Sequence, residues 1–319
     1  MVYDRGNLTH CAPNGEAVLY KRAYPEGIKI RSRDARRGCL FLDDQNKLAD
    51  GRRSSVFRTP LIATLGPRDQ KRKHVRVVAK VADDRCRSHH LLRQEAKAYA
   101  AFPREFYVRS KPTAPPIVPK FYGYYVPINS KGESLERDHP GCNEYATSQC
   151  HVHRWPKAIL LMEDCGEQID TACMPFSERN ACWDLVERMH RQGFSHGYAH
   201  PQNMLVQPGP MNVPVEKRSY LNPSFRLVSF GRWRALGYKL PMESARCAKR
   251  AFEKGRETDV MVSLDELRIL NHGEPEEEDE RSVDADDEDE EPENEVDIDA
   301  DVDANAGEDG YDSDATVTC

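Results

Sequence analysis

The sequence predicts an α+β fold in two lobes, strand-rich first and helical later, followed by an acidic tail. Three observations carry this. β-Branched and apolar runs bounded by turn residues crowd residues 39–82. Helical spacing takes over at residues 88–102 and returns near Ser177. From Glu274 onward, 23 Asp or Glu residues face the single Arg281, a local charge of −22. The chain total is −7, so residues 1–273 carry +15. A basic body therefore precedes a polyanionic stretch, residues 273–319, that cannot bury enough apolar surface to offset its ordering entropy and is expected to be disordered.

The elements follow in chain order. Residues 1–38 are polar and basic with Gly, Asn and Pro punctuation, and are expected to be an extension with little structure of its own. From Cys39, CLFLDDQNKLADGRRSSVFRTPLIATL places apolar runs on both sides of a Gly-Arg-Arg-Ser-Ser turn, a hairpin pattern. The basic GPRDQKRKHVR, a solvated connection more than a nuclear address, leads into VRVVAKVA, a strand that carries Lys80. In residues 88–102, Leu91, Ala98 and Phe102 share one helical stripe, and Glu95 falls on it. A carboxylate on a buried face needs a cation, because an unpaired buried charge costs several kcal/mol. Lys80 on the preceding strand is the candidate.

A Pro-rich segment, KPTAPPIVPKFYGYYVP, is followed by a polar insertion ending near residue 156. Within it His139, Cys142, Cys150, His151 and His153 are zinc-ligand types, but their spacing fits no standard finger and an ordinary loop is the expectation. The apolar run of KAILLMEDCGEQI breaks at Glu163, Asp164, Cys165 and Gly166, which reads as a hinge closing a first lobe of residues 39–165 that contains the insertion, residues 126–156. In the second lobe, residues 166–272, Ser177 is expected to cap a helix with Cys182, Leu185, Val186 and Met189 on its inner face, and Gly193 to end it. NMLVQPG and PSFRLVSFG read as two short strands. Ser263 and Glu266 of SLDE form a capping box, which predicts a closing helix that begins there.

Ten cysteines without repeated spacing, and no apolar leader, lead to an expectation of free thiols in a reducing compartment, cytoplasmic or nuclear. No apolar run approaches the roughly 18 residues that span a bilayer, so no membrane association is expected.

This order of parts resembles the protein-kinase-like superfamily, and especially the degenerate kinase-like proteins of fungi, over residues 40–270. LADGRRSSV keeps Leu48, Gly51 and Val56 of the family's glycine loop but has Ala49 and Ser54 where it has glycine. VVAK is similar to the strand motif whose lysine grips the α and β phosphates, and Glu95 stands where that lysine has its helical partner. HGYAHPQNMLV is similar to the H-G-D-x-x-x-x-N catalytic loop of phosphotransferases. Asn203 stands at the magnesium-binding asparagine, and Ser229, Phe230 and Gly231 where the family has Asp-Phe-Gly. The resemblance thus implies nucleotide positions at Gly51, Val56, Lys80, Glu95 and the hinge residue Glu163, and catalytic-loop positions at His196, Tyr198, Asn203 and Ser229. Lys80 and Glu95 read equally well as a purely structural ion pair.

Departures from the pattern decide what the resemblance implies. Both catalytic carboxylates are missing, replaced by Tyr198 and Ser229, and between Glu187 and Glu243 the only acidic residue is Glu216. Magnesium prefers anionic oxygen, and Asn203 with a serine hydroxyl supplies no charge. His196 or His200 can in principle accept a proton, but that help is worth only about 10²–10⁴-fold. Phosphoryl transfer depends more on charge neutralisation around the phosphates. The chain is therefore expected to be a pseudokinase, a binding or regulatory module with weak or no ATP binding and little use for Mg²⁺. The alternatives are an unconventional ATP-dependent phosphotransferase and an electrostatic interaction protein. Some 40 residues separate Gly231 from the acidic stretch, too few for a peptide-docking platform, so the second lobe is minimal.

The partner is expected to be a protein of unknown identity. The tail is expected to cover the body's own positive surface or to bind other basic proteins, and to keep nucleic acid away. Truncation after Gly273 should then raise the affinity for DNA or heparin at low salt without lowering the melting temperature of the body. Salt-titrated binding and calorimetry on both forms check this, and equal polyanion affinity at low salt would refute masking.

Overall fold

The computed structural model describes residues 1–24, 37–51, 53–64, 72–108, 115–135, 156–211, 213–237 and 244–270. The acidic tail and the His/Cys group of the insertion lie outside the described residues. The fold is mixed α+β with a large sheet. Among the described residues that sheet has nine strands, and the chain enters it at once through Val2–Asp4 (β1), Ala17–Val18 (β2) and Tyr20–Tyr24 (β3). Gly38–Leu42 (β4), Lys47–Gly51 (β5), Ser54–Thr64 (β6), Arg72–Ala82 (β7), Phe121–Pro127 (β8) and Ile159–Glu163 (β9) complete it. The order is β2-β1-β4-β6-β7-β9-β8-β3, with β5 also on β6.

The opening residues correct the expectation of an unstructured extension. β1 pairs in parallel with β4, Val2 opposite Leu40, and β3 pairs antiparallel with β8 across a hundred residues of chain. Polar composition misleads here because the polar groups are spent on the backbone. Asp4 is fully buried and accepts the amides of Leu8 and Thr9 and the Thr9 hydroxyl at 2.7–2.8 Å. Asn7 likewise accepts the Ala12 amide at 2.8 Å. Side chains that satisfy a turn's N–H groups order it as firmly as apolar contacts do.

The hairpin expected around Gly51 is present, with Gly51 paired to Ser54 and only two residues between them. The register places Val56 opposite Lys80. One helix, Cys86–Ala101 (α1), crosses the sheet and buries Leu92, Glu95, Ala96, Ala98 and Tyr99.

After β9 come Glu167–Gln168 (β10), the helix Phe176–Arg191 (α2), Phe194–Ser195 (β11), Met204–Gly209 (β12), Ser219–Leu227 (β13) and Arg234–Ala235 (β14). β12 and β13 pair antiparallel, and β11 pairs with β14. α2 buries Cys182, Leu185, Val186 and Met189 as its spacing predicts. Its start differs. Pro175 occupies the cap and Ser177 lies inside the first turn, because the proline's fixed φ and missing N–H suit a helix entry without a capping side chain.

The last helix is a larger correction. Ala245–Glu266 (α3) begins at Ser244, whose hydroxyl accepts the Cys247 amide at 3.2 Å, and ends where the SLDE box was expected to start a helix. Ser263 sits in its last turns, fully buried. The inward stripe of α3 runs through Ala248, Phe252, Gly255, Asp259 and Ser263, of which only two carry apolar side chains larger than hydrogen. A search for apolar periodicity passes over such a helix. Among the described residues, no helix is long and apolar enough to cross a membrane.

Candidate functional site

α1 lies against β7, so a residue on the inner face of the helix can meet one on the strand. Lys80 Nζ is 2.7 Å from Glu95 Oε2, the two side chains being 14% and 2% exposed. The third member lies two residues beyond the end of β13. Ser229 Oγ accepts from Lys80 Nζ at 3.1 Å, while the Ser229 amide donates to Glu95 Oε1 at 3.1 Å. Both carboxylate oxygens and the ammonium are thus engaged in one closed ring. Ser229 adopts φ 72°, a left-handed conformation uncommon outside Gly, Asn and Asp, and this backbone turn aims both its N–H and its hydroxyl at the pair.

The residues after Ser229 are held by packing. Phe230 is fully buried, with ring centroids 4.9 Å from Phe102, 5.3 Å from Tyr99 and 4.7 Å from the His196 imidazole. At Gly231 a Cβ would meet the backbone oxygen and Cβ of Leu91 at 3.2 Å. Glycine therefore permits α1 to lie directly on this turn.

The loop of residues 196–203 is shaped by groups that the sequence reading did not find. Asp259, fully buried on α3, accepts the His196 amide at 2.7 Å and the Ala199 amide at 3.2 Å, and lies 3.1 Å from His190 Nε2 on α2. One turn further along α3, the Ser263 hydroxyl donates to the Ala199 carbonyl at 2.8 Å. At Gly255, one turn before, a Cβ would come within 2.7 Å of Ser195 Oγ. Helix and loop fit backbone to backbone. Gly197 has φ 77° and no room for a Cβ, which would fall 2.4 Å from the Arg232 carbonyl. The one sequence signal for this contact was an acid four residues from both a glycine and a serine in one helix.

The predicted loop residues are brought together, with roles set by geometry. His196 is fully buried, and its Nε2 donates to the Val228 carbonyl at 2.8 Å, which requires the proton on that nitrogen. Burial holds its pKa below the usual histidine value, so the ring stays neutral and faces the core. Tyr198 is 37% exposed, its ring tilted by 42° against the His200 ring with centroids 3.9 Å apart and the Arg232 guanidinium 5.4 Å over its face. Asn203 Nδ2 donates to the Tyr198 carbonyl at 2.9 Å, leaving its amide oxygen as the atom it can offer a metal. His200 Nδ1 is 2.5 Å from Glu266 Oε1. Among the described residues, no group of three or more His, Cys, Asp or Glu can hold a metal ion.

On the neighbouring strand β6, Val56 is the ladder partner of Lys80, and Gly51 closes the hairpin. Glu163 is bonded to Lys120. Its carboxylate accepts the Lys120 amide at 3.1 Å and lies 3.7 Å from Lys120 Nζ. Asp164, 6% exposed, is held by Arg58 Nε at 3.0 Å and Arg76 Nε at 2.7 Å. Gly166 has φ 88°, and a Cβ there would strike the Val206 carbonyl at 2.0 Å, so β12 runs hard against this turn.

No family model matches the chain, and no curated protein does. Among solved structures, it is similar to the Rio2 kinase–ADP/Mg²⁺-phosphoaspartate complex from Chaetomium thermophilum. The two share 14% identity over 70% of this chain and 55% of that one, with a TM-score of 0.36. The match thus spans about half the length of that protein.

Proposed function

We propose that the chain is a catalytically impaired protein-kinase-like module, a pseudokinase that acts by binding, with a minimal second lobe and nucleotide held weakly and independently of magnesium. The observation that carries this reading is the closed ring of Lys80, Glu95 and Ser229. The lysine–glutamate pair and the Ser-Phe-Gly turn meet as they would in a kinase-like cleft, but a neutral hydroxyl, 3.1 Å from the ammonium, occupies the place of the metal-binding carboxylate. Asn203 adds an amide and no charge, and magnesium is reluctant to exchange water for such ligands. His196 offers no accessible base, since its ring is fully buried, with Nε2 donating to Val228 and Nδ1 shut away from any substrate. The reading further assigns a protein partner and a cytoplasmic or nuclear setting.

A second reading is favoured by the 2.5 Å contact between His200 and Glu266 beside Tyr198. A carboxylate on Nδ1 would fix the imidazole with Nε2 as proton acceptor, the part that an unconventional phosphotransferase needs.

Thermal unfolding with ATP, with and without magnesium, separates these. The first reading expects a shift of at most about 2 °C, unchanged by EDTA, which for a body of this size corresponds to less than 1 kcal/mol of differential binding. A large shift that chelation abolishes would sink it. ATP turnover removed by His200→Ala would establish the second.

A further inference from the structure

Side chains alternate along a strand, and Tyr3 stands between the buried Val2 and Asp4, so its ring lies on the outer face of the large sheet. Phe41, between the buried Leu40 and Leu42, is its ladder partner on β4. The two rings are stacked, with centroids 5.0 Å apart and planes within 7° of parallel. That separation is about one strand spacing. The rings therefore stand side by side on the sheet, and the second face of Tyr3 is left to the strand beyond. That strand is β2, which ends the sheet on this side among the described residues, and the partner of Tyr3 on it is the exposed Ala17. A methyl group covers little of a phenol ring. Tyr3 is accordingly 37% exposed and nearby Leu19 47%, so the aromatic stack is open at one end.

Guanidinium groups flank the stack. Arg5, two residues after Tyr3, has an almost fully exposed side chain, 3.8 Å from Asp43. On the other side, the register of Leu40 with Leu61 sets Pro60 beside Phe41, and Pro60 pairs with Arg76. Arg76 is also well exposed. It gives Nε to Asp164 at 2.7 Å, but the same carboxylate serves Arg58 at 3.0 Å. Three guanidinium groups thus share two carboxylates, and the row from Ala17 through Tyr3 and Phe41 to Arg76 keeps a positive balance.

We propose that this outer face of the sheet binds single-stranded nucleic acid, with a base laid on the open face of Tyr3 above Ala17 and the neighbouring phosphates met by Arg5 and Arg76. Aromatic side chains on a sheet surface take bases by stacking, with little regard to sequence, while nearby arginines take the backbone. An acidic peptide would satisfy the same cations and leave the ring uncovered. The contact differs from diffuse polyanion binding, because a base holds it and not charge alone. It does not depend on nucleotide binding at Lys80.

The test is fluorescence anisotropy of a labelled oligo(dT) of about eight nucleotides, a length within the site size of one small binding fold, titrated with the full chain. The salt is about 0.15 M, where charges more than about 8 Å apart are largely screened. A saturable rise is expected. Tyr3→Ala should weaken binding about tenfold or more, the effect of losing one stacked base, and Tyr3→Phe should leave it unchanged. Ala17→Leu fills the open place beside the ring without touching the core, so it should weaken binding as much at an unchanged melting temperature. Arg5→Gln should lower the salt slope by about 1. An iodouracil oligonucleotide cross-linked by light to the unmodified chain should map to Tyr3. Absence of saturable binding, an unchanged affinity in Ala17→Leu, or cross-links only elsewhere would overturn the proposal. Polyglutamate that binds the unmodified chain as tightly as oligo(dT) and displaces it would assign the face to acidic peptide instead, and would overturn it too.

Discussion

Asp259→Ala is expected to cost the body about 3–5 kcal/mol, the loss seen when one partner of a buried charged network is removed. The carboxylate is fully buried and receives two amides and an imidazole nitrogen. Its removal leaves the His196 and Ala199 N–H groups without an acceptor, and each unpaired buried donor costs about 1–3 kcal/mol. Asp259→Asn keeps one oxygen but presents an NH₂ to one of the two amides, so it should fall between the alanine variant and the unmodified chain. Urea unfolding midpoints at constant m-value measure both. A loss below about 1 kcal/mol for the alanine variant would mean that the loop keeps its shape without α3.

Glu95→Ala should cost about 3 kcal/mol, because it strands an ammonium whose side chain is only 14% exposed and also leaves the Ser229 amide unpaired. Lys80→Met should cost a similar amount, since it strands a carboxylate that is only 2% exposed, with the Ser229 amide as its remaining donor. The double variant should recover part of the Glu95→Ala loss, a coupling of at least about 1 kcal/mol in a double-mutant cycle. Additive losses would show that the two charges are solvated independently, against the 2.7 Å contact.

The legible parts of this fold were those in which apolar periodicity and burial coincide. VRVVAKVA became the central strand β7, and residues 182, 185, 186 and 189 became the buried face of α2. Glu95 was legible for the opposite reason, as a charge on an otherwise apolar stripe that demanded a partner. What escaped was structure stabilised by polar groups acting on backbone. Asp4 and Asn7 organise the opening turns through N–H bonds that composition reads as loop. Asp259 and Ser263 hold a loop some 60 residues away, and their stripe on α3 looks like a solvated face in the sequence. Arg226 gave no signal, because a lone arginine in a β-strand is more often at the surface, and only the packing of β13 shows that it is buried.

The hold of α3 on the loop has a consequence for synthesis. A ribosome adding residues one at a time completes the His196 segment well before it makes Asp259, 63 positions later. Until α3 emerges, the His196 and Ala199 amides have only water to bind, and the loop has no fixed course. The central hairpin β6–β7 joins neighbours in sequence and can form early, whereas the loop waits for the last helix to be made. A nascent chain stalled before Ser244 would therefore hold every residue of the Lys80–Glu95–Ser229 ring and still lack the helix that shapes the loop beside it.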